Sequence, residues 1–269
     1  MDKSWILCCE LNVALLLLFP LAWAIASYQD HTRKLATCGF LPAKPGPWEF
    51  RLVRFIAWLV TCFQVGRVRW RGEENLKLLP ANGVLVVANH VSYTDACLVM
   101  RTLGKPARYM AGSEVMHLVG GLIGRLIVMC GGFAISRKSS SGRATEVAAG
   151  ILQSGQTLVI FPEGACQFDG EMSKFRNGAA VVAIAAEQLG EPITILPIHI
   201  HYNKLPGSWI RGLTPNASIL HMVRNFLHYR QGATISIGTP FSSSELSADD
   251  INNASLTIMH KVQDCAPGA

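Results

Sequence analysis

Short runs of apolar residues alternate with longer segments of mixed apolar and polar residues along most of the chain. Short apolar runs bounded by turn residues favour buried strands, and the longer mixed segments favour helices. The predicted strands cover residues 83–88, 108–110, 133–135, 157–161, 193–199 and 233–237. The predicted helices are one that begins near Thr94 or Asp95 and four that cover 114–129, 143–153, 177–189 and 249–262. This alternation predicts an α/β fold with a mostly parallel sheet flanked by helices.

The amino-terminal segment is apolar enough to cross a bilayer. Residues 11–27 carry no charge, and a span needs roughly 20 helical residues. We therefore expect an N-terminal membrane-anchoring helical segment, a transmembrane anchor over residues 1–30. The alternative is a cleaved signal peptide, but Asp2 and Glu10 are atypical of one. Basic residues follow the apolar run, which predicts that the remaining domain faces the cytoplasm from the inner (cytoplasmic) membrane.

Residues 31–66 are predicted to form a linker and an interfacial amphipathic helix. The prolines that stiffen the linker are Pro42, Pro45 and Pro47. Within 48–65, Arg51 and Arg54 share one helical face. The apolar remainder consists of Phe55, Trp58, Leu59 and Phe63. This pattern is typical of a helix in the membrane interface, and the alternative is a helix packed in the domain core.

Composition narrows the class of partner. Lys and Arg total 24 against 18 Asp and Glu, a net charge of +6, which suits anionic lipid headgroups or the phosphates of coenzyme A. No nucleic-acid-binding motif is found in the sequence, so no nucleic acid partner is expected. The eight cysteines contain no C-x-x-C pair and predict no disulfide framework. His199 and His201 share a strand face without a third ligand at typical spacing, so no metal site is predicted.

The segment from Asn89 to Asp95 carries the strongest chemical pattern. His90 and Asp95 are five residues apart across the predicted strand-to-helix turn. On one continuous helix they would point about 140° apart, so the pair is useful only if His90 lies on the turn. A carboxylate that accepts the Nδ1–H bond would leave Nε2 as a general base. Alone, this spacing is a weak pattern, because an Asp that caps a helix near a histidine is common.

Three further segments follow in order. Residues 131–137 place Gly131 before a strand and Arg137 after it, and an arginine fork suits a phosphate. The apolar strand at 157–160 is followed by a turn that consists of Phe161, Pro162, Glu163 and Gly164. Residues 195–198 form an apolar strand that contains Pro197, and a proline in a strand is expected at an edge or bulge. Each segment alone is also compatible with a purely structural role.

Together these segments resemble the glycerolipid acyltransferase family, in its lysophosphatidic acid acyltransferase (PlsC-type) branch. The first motif, N-H-x4-D, is met at Asn89, His90 and Asp95. The second, G-x5-R, is met by Gly131 and Arg137. The third, F-P-E-G, is met at 161–164, and the fourth, an apolar-Pro-apolar strand, at 196–198. The resemblance covers about residues 70–238, and an acyltransferase domain is expected over 67–269.

The resemblance implies a fatty acyl transfer from acyl-CoA or acyl carrier protein to the free hydroxyl of lysophosphatidic acid. The product is phosphatidic acid, made at the membrane bilayer without an acyl-enzyme, a cofactor or a metal. His90 is then the base and Asp95 orients it. The expected substrate-binding residues are Asn89, Gly131, Arg137, Phe161, Pro162, Glu163, Gly164 and Pro197, with Arg137 on the acceptor phosphate and Glu163 and Gly164 around the same pocket.

Two departures from the family pattern concern the acceptor. Ala165 stands where the third motif usually has Ser or Thr, and no Lys is present near Gly112, where the family often has one. The candidates to replace the charge of the missing lysine are Arg125, Lys174 or Arg176. The alternatives are another lyso-lipid acceptor, such as lyso-ornithine lipid or a lysophospholipid, a non-enzymatic lipid-binding protein of this fold, and a lipid hydrolase. Ser92 and Cys166 are weaker candidates for a nucleophile, since neither lies in a G-x-S-x-G elbow.

Overall fold

The computed structural model describes residues 46–80, 83–113, 116, 122–135, 142–167, 169–204 and 232–268. The predicted anchor over 1–30 and most of the predicted linker lie outside these ranges. Within them, no helix has both the length and the apolar character that a membrane crossing requires.

Within the described ranges, eight strands form one sheet. They are β1 (Val68–Arg71), β2 (Val84–Ala88), β3 (Arg108–Gly112), β4 (Phe133–Ile135), β5 (Thr157–Ile160), β6 (Thr194–Tyr202), β7 (Ala233–Ile237) and β8 (Phe241–Ser242). The strand order is β1-β7-β6-β2-β5-β3-β4, and β8 also pairs with β6. β6 runs antiparallel to β7 and β8, and the other pairs are parallel. The predicted mostly parallel sheet is confirmed.

Six α-helices are described. They are α1 (Pro47–Val60), α2 (Asp95–Leu103), α3 (Leu122–Met129), α4 (Arg143–Gln153), α5 (Gly178–Leu189) and α6 (Ile251–Gln263). One apolar cluster packs α4, α5 and α6 on one face of the sheet, and a second packs α1 and α2 on the other. Strand β2 contributes Leu85 and Val87 to the first cluster and Val84 and Val86 to the second. The central strand is thus buried on both faces, as its unbroken apolar sequence predicts.

The strand β1 was not predicted from the sequence. Its four residues alternate between half-buried and exposed positions, and two of them are Arg69 and Arg71. β1 lies at the edge of the sheet beside β7. An edge strand with exposed basic side chains lacks the apolar run that identifies buried strands.

The helix α1 packs in part against the domain, as the core-helix interpretation predicted. Val53 and Ala57 are buried against α2 and the sheet, as in a core helix. The exposed large side chains of this region lie on the remaining surface: Trp48, Phe55, Trp58 and Phe63. A π-helical turn over Thr61–Val65 ends the segment. One face of the helix is therefore packed while another presents aromatic rings to the surroundings.

Pro197 was expected at an edge or a bulge, and it does not lie on an edge strand. It is buried in the interior strand β6, where it pairs with Val87 of β2. On its other side the partner of β6 changes from β8, which ends its pairing at Ile195, to β7, which begins at Ile198. The carbonyl of Pro197 accepts a hydrogen bond from the Gly238 amide at 2.9 Å. A strand residue points its amide and carbonyl to the same side, so the missing N–H faces the gap between β8 and β7.

The lowered pKa of His199 predicts that the stability of the fold depends on pH. Burial, with a contribution from His201, lowers the pKa of His199 to about 4 from an ordinary 6.5. As pH falls below 6.5, the unfolded chain takes up a proton that the folded state resists, so stability is lost. We expect His199→Gln to remove this loss. Its Tm should match wild type near neutral pH and exceed it by about 2–4 °C at roughly pH 5. Thermal unfolding at both pH values checks this, and an equal Tm difference at both would contradict it.

Candidate active site

The site is built on the turn between β2 and α2. Asp95 is the first residue of α2, and its Oδ2 accepts the backbone amides of Val91 and Ser92 at 2.6 and 2.7 Å. A carboxylate at this position is also favoured by the positive end of the helix dipole. The Asp95 side chain, fully buried, therefore determines the shape of the turn that follows β2.

The His90 imidazole lies against this carboxylate. Its Nδ1 is 2.9 Å from Asp95 Oδ2, and the predicted contact between ring and acid is present. Because the carboxylate can only accept, Nδ1 carries the proton and Nε2 is left as an acceptor. The His90 side chain is 19% exposed. The ring of Phe161 stacks on the imidazole with centroids 4.4 Å apart, so the ring orientation is defined from two directions.

Tyr202 completes the hydrogen bonding of the acid and was not predicted. Its hydroxyl donates to Asp95 Oδ1 at 2.6 Å, and Thr94 Oγ1 lies 2.7 Å from the same hydroxyl oxygen. Burial raises the pKa of Tyr202 well above its ordinary value, and the charge of Asp95 raises it further. The hydroxyl therefore keeps its proton and acts as a donor. The sequence contained one indication of this contact. Tyr202 lies at the end of the apolar face of β6, and a buried hydroxyl there needs a hydrogen-bond partner.

Asn89 joins β2 to β6. Its Oδ1 accepts the Ile200 amide at 2.7 Å, and its Nδ2 donates to the Ile200 carbonyl at 3.0 Å. The side chain thus replaces a backbone partner where β2 has ended. The structure places Asn89 beside His90 as a support for the turn, with both ends of its amide bonded to the main chain.

Glu163 connects the turn after β5 to His90. Its Oε1 accepts the backbone amide of His90 at 2.7 Å, and its Oε2 accepts the amide and hydroxyl of Ser173, both at 2.9 Å. Burial raises the pKa of the Glu163 carboxyl, and these hydrogen bonds partly offset the rise. Both oxygens are bonded within the protein. The expected role of Glu163 around the acceptor phosphate stays a prediction, and in the structure its carboxylate holds two loops together.

The rest of the F-P-E-G turn lies beside an arginine. Gly164 has φ of +73°, and a Cβ there would come within 3.0 Å of Arg176 Nε. The backbone amide of Arg176 donates to the Pro162 carbonyl at 2.9 Å. Arg176 is exposed, so the turn and the guanidinium together form a basic surface near the strand end. Lys174 is exposed two residues earlier, whereas the side chain of Arg125 lies outside the described residues.

Two predicted site residues, Gly131 and Pro197, are not brought into contact with His90 in the described part of the chain. Gly131, with φ of +81°, forms the turn before β4. It therefore lies at the amino end of a strand, whereas His90 follows the carboxyl end of β2. Arg137 lies outside the described residues. Pro197 pairs with Val87, three residues before His90, and supports the strand.

Cys166, a weaker nucleophile candidate from the sequence, lies beside the His90 ring. Its Sγ lies 3.3 Å from His90 Nε2, on the side of the ring opposite Asp95. The loop that carries it is held by the Gln167 amide, which donates to the His90 carbonyl at 2.7 Å. The sequence placed Cys166 three residues after Glu163, but without a nucleophile elbow it received little weight.

The model of the Acyltransferase family matches residues 67–201, half of the chain, and the chain belongs to this family. The matched range contains His90, Asp95 and Cys166.

Relatives support the same class. The chain is 26% identical over 152 residues to human 1-acyl-sn-glycerol-3-phosphate acyltransferase beta, covering 55% of this chain and 54% of that protein. It is 31% identical over 127 residues to a 1-acyl-sn-glycerol-3-phosphate acyltransferase of Chlamydomonas reinhardtii, covering 46% and 37%. The chain thus spans about half or less of these relatives. The crystal structure of the PlsC acyltransferase from Thermotoga maritima shares the fold, with a TM-score of 0.54 and 19% identity, covering 80% and 77%.

Proposed function

We propose that the chain is an O-acyltransferase that moves a fatty acyl group from acyl-CoA or acyl carrier protein to lysophosphatidic acid, giving phosphatidic acid for phospholipid biosynthesis. The observation that carries this proposal is the line of contacts from Tyr202 through Asp95 to His90. It lies within a family whose members named above act on 1-acylglycerol phosphate.

The chemistry follows from the tautomer of His90. With Nδ1–H bonded to Asp95, Nε2 takes the proton of the acceptor hydroxyl as the hydroxyl oxygen attacks the acyl carbonyl. The imidazolium that forms is stabilised by the buried carboxylate, which accepts from two backbone amides and Tyr202 as well. The ring then returns the proton to the leaving thiolate. The supporting network is complete before substrate binds, so little reorganisation is required.

The acceptor phosphate requires cations near the strand ends. No lysine follows β3 at Gly112 and Ser113, at the same edge of the sheet as His90. Arg176 lies against Gly164 beside the His90 loop, and Arg137 follows β4 in sequence. We assign the phosphate to these two arginines, because a guanidinium can pair two phosphate oxygens.

The bilayer is part of the proposal, with the catalytic domain on the cytoplasmic side. Support comes from the uncharged stretch 11–27 and the basic residues after it. It also comes from α1, where Trp48 is 72% exposed and Phe55 55% exposed, because exposed aromatic rings favour the headgroup region. In this arrangement both lipid chains reach the site from the membrane.

An acceptor panel tests the proposal. Detergent-solubilised protein is given labelled palmitoyl-CoA with lysophosphatidic acid, lysophosphatidylcholine or lyso-ornithine lipid. We expect lysophosphatidic acid to be the best acceptor. In Arg176→Ala and Arg137→Ala its kcat/KM should fall roughly 10–100-fold, the loss of one charge-assisted phosphate contact. Lyso-ornithine lipid, which has no phosphate, should be affected little.

The matched control is Arg71→Ala. Arg71 is exposed on the edge strand β1, three strands from β2, so its loss should leave the acceptor profile unchanged. A preference for lyso-ornithine lipid, with no effect of either arginine, would replace the acceptor in the proposal. Free fatty acid as the sole product would identify a hydrolase, and acceptor binding without turnover would identify a lipid-binding protein.

A further inference from the structure

An open cavity of about 540 Å³ lies between α1, β1 and the last turn of α2. Three arginines line it, Arg51 and Arg54 from α1 and Arg101 from α2. In the described part of the chain, the groups that bond to or stack on His90 are not among the residues that line this cavity. This α1–α2 cavity is therefore separate from the candidate active site.

Arg101 is held in place by the protein itself. Its Nη1 donates to Thr61 Oγ1, and its guanidinium lies over the ring of Trp70, 5.4 Å from the ring centroid. Trp70 is fixed in turn, because its Nε1 donates to Thr102 Oγ1 at 3.1 Å. Within the described ranges, Arg101 has no carboxylate at ion-pair distance. A positioned guanidinium without a counter-ion is suited to bind an oxyanion.

The rim of the cavity on α1 combines charge with aromatic surface. Arg51 and Arg54 are exposed, and the exposed rings of Phe55 and Trp58 stack with their centroids 5.9 Å apart. Aromatic rings favour the headgroup level of a bilayer, and basic residues there attract anionic lipids. Among the described residues, Glu73 is the one acidic group that lines the cavity. The lining thus has three positive charges against one negative charge.

We propose that the α1–α2 cavity binds the phosphate of one anionic phospholipid of the bilayer, at a site separate from that of the acyl acceptor. The inference rests on the bilayer location in the proposed function. The excess of positive charge favours a headgroup with a net negative charge, such as phosphatidylglycerol. A phosphatidylcholine headgroup would bring its quaternary ammonium group against the same arginines. A soluble phosphate ligand would leave the rings of Phe55 and Trp58 in water, whereas a phospholipid covers them with its glycerol and upper acyl chains.

The bound lipid acts on the position of the domain through α2. Asp95 is the first residue of this helix and Arg101 lies in its last turn, about 9 Å away along the helix axis. α1 packs against the same helix. A phosphate held by Arg54 and Arg101 therefore joins α1 to α2 at the headgroup level, and it sets the distance of the His90 turn from the bilayer.

Native mass spectrometry measures this binding without turnover. The full chain in neutral detergent is titrated with dioleoylphosphatidylglycerol or dioleoylphosphatidylcholine, and the fraction with one bound lipid is followed. We expect phosphatidylglycerol to bind at least roughly 10-fold more tightly, the effect of one charge-assisted phosphate contact. Arg54→Gln and Arg101→Gln should each weaken phosphatidylglycerol binding roughly 10-fold. Because Arg54 is exposed on α1, its variant tests the site without loss of the Thr61 contact that Arg101 makes.

Arg69→Gln is the matched control. Arg69 is exposed on β1 directly before Trp70, and successive strand residues point to opposite faces of the sheet. This variant removes the same charge outside the cavity and should leave phosphatidylglycerol binding unchanged. Glu73→Gln should strengthen the binding about twofold, since it removes the opposing charge.

Four results separate the possible outcomes. Equal affinity for the two phospholipids, or an equal loss in Arg69→Gln and Arg101→Gln, overturns the inference. Displacement of phosphatidylglycerol by coenzyme A would assign the cavity to the acyl donor and would also overturn it. Binding that is lost in Arg176→Ala and kept in Arg101→Gln would place the lipid at the acceptor site, with the same consequence. Selective phosphatidylglycerol binding by protein that acylates no lyso-lipid would refute the acyltransferase proposal and leave this inference standing.

Discussion

His90→Ala is expected to lower kcat for acyl transfer by about 10²–10⁴-fold, the contribution of a positioned general base. The loss follows because Nε2 is the acceptor of the proton in the proposed reaction. The fold should be kept, since Asp95 still accepts the amides of Val91 and Ser92 and the hydroxyl of Tyr202. Initial rates with palmitoyl-CoA and lysophosphatidic acid, together with Tm, measure both effects.

The matched control for this variant is His201→Ala. His201 is exposed on β6, directly before Tyr202 at the end of the strand, and its removal should leave turnover unchanged. Association with liposomes should be equal in the two variants, because α1 and the amino-terminal segment are untouched. Full turnover in His90→Ala would exclude this histidine as the base and would remove the basis of the proposed mechanism.

The contact between His90 and Asp95 could be predicted because it is local. The two residues are separated by one strand-to-helix turn, and the apolar run before the turn identified the strand. The ring of His90 and the carboxylate of Asp95 can meet only if His90 lies on the turn. The N-H-x4-D motif and the predicted end of the strand were therefore enough to predict this contact. The same reasoning correctly located the turn after β5, since it too follows a short apolar strand.

The supports of the site could not be predicted, because they come from distant parts of the chain. Tyr202 is 107 residues from its partner Asp95, and Cys166 is 76 residues from His90. These long-range contacts depend on the order of the strands in the sheet, in which β2 lies between β5 and β6. Sequence patterns predicted the strands but not this order.

The contacts of Glu163 within the protein could not be specified by its motif alone. The position of Glu163 after β5 was predicted from the sequence. The groups that its carboxylate contacts were not. The structure uses one oxygen for the His90 amide and the other for Ser173. A carboxylate would repel the negatively charged acceptor phosphate. Because both of its oxygens accept hydrogen bonds, the Glu163 carboxylate holds the turn that carries His90 against the loop that carries Ser173. The cationic contact is better supplied by Arg176, beside the same turn.

Asp95→Asn is expected to have the second large effect, a fall in kcat of roughly 10²–10⁴-fold with little change in KM. The amide oxygen can still accept from the turn amides and from His90, and its NH2 group can donate to the Tyr202 oxygen. The fold and the ring orientation are therefore kept, but the charge that stabilises the imidazolium is lost. Steady-state kinetics and Tm measure the two consequences separately.

Two further variants serve as comparisons for the kcat of Asp95→Asn. Tyr202→Phe removes one hydrogen bond to the carboxylate and leaves its charge, so its kcat should fall by only about 10-fold, consistent with a bond to a charged group. Asp249→Asn removes an exposed carboxylate and should change nothing. If Asp95→Asn kept the kcat of wild type, the buried charge would have no part in the reaction. If it raised KM alone, Asp95 would contribute only to substrate binding.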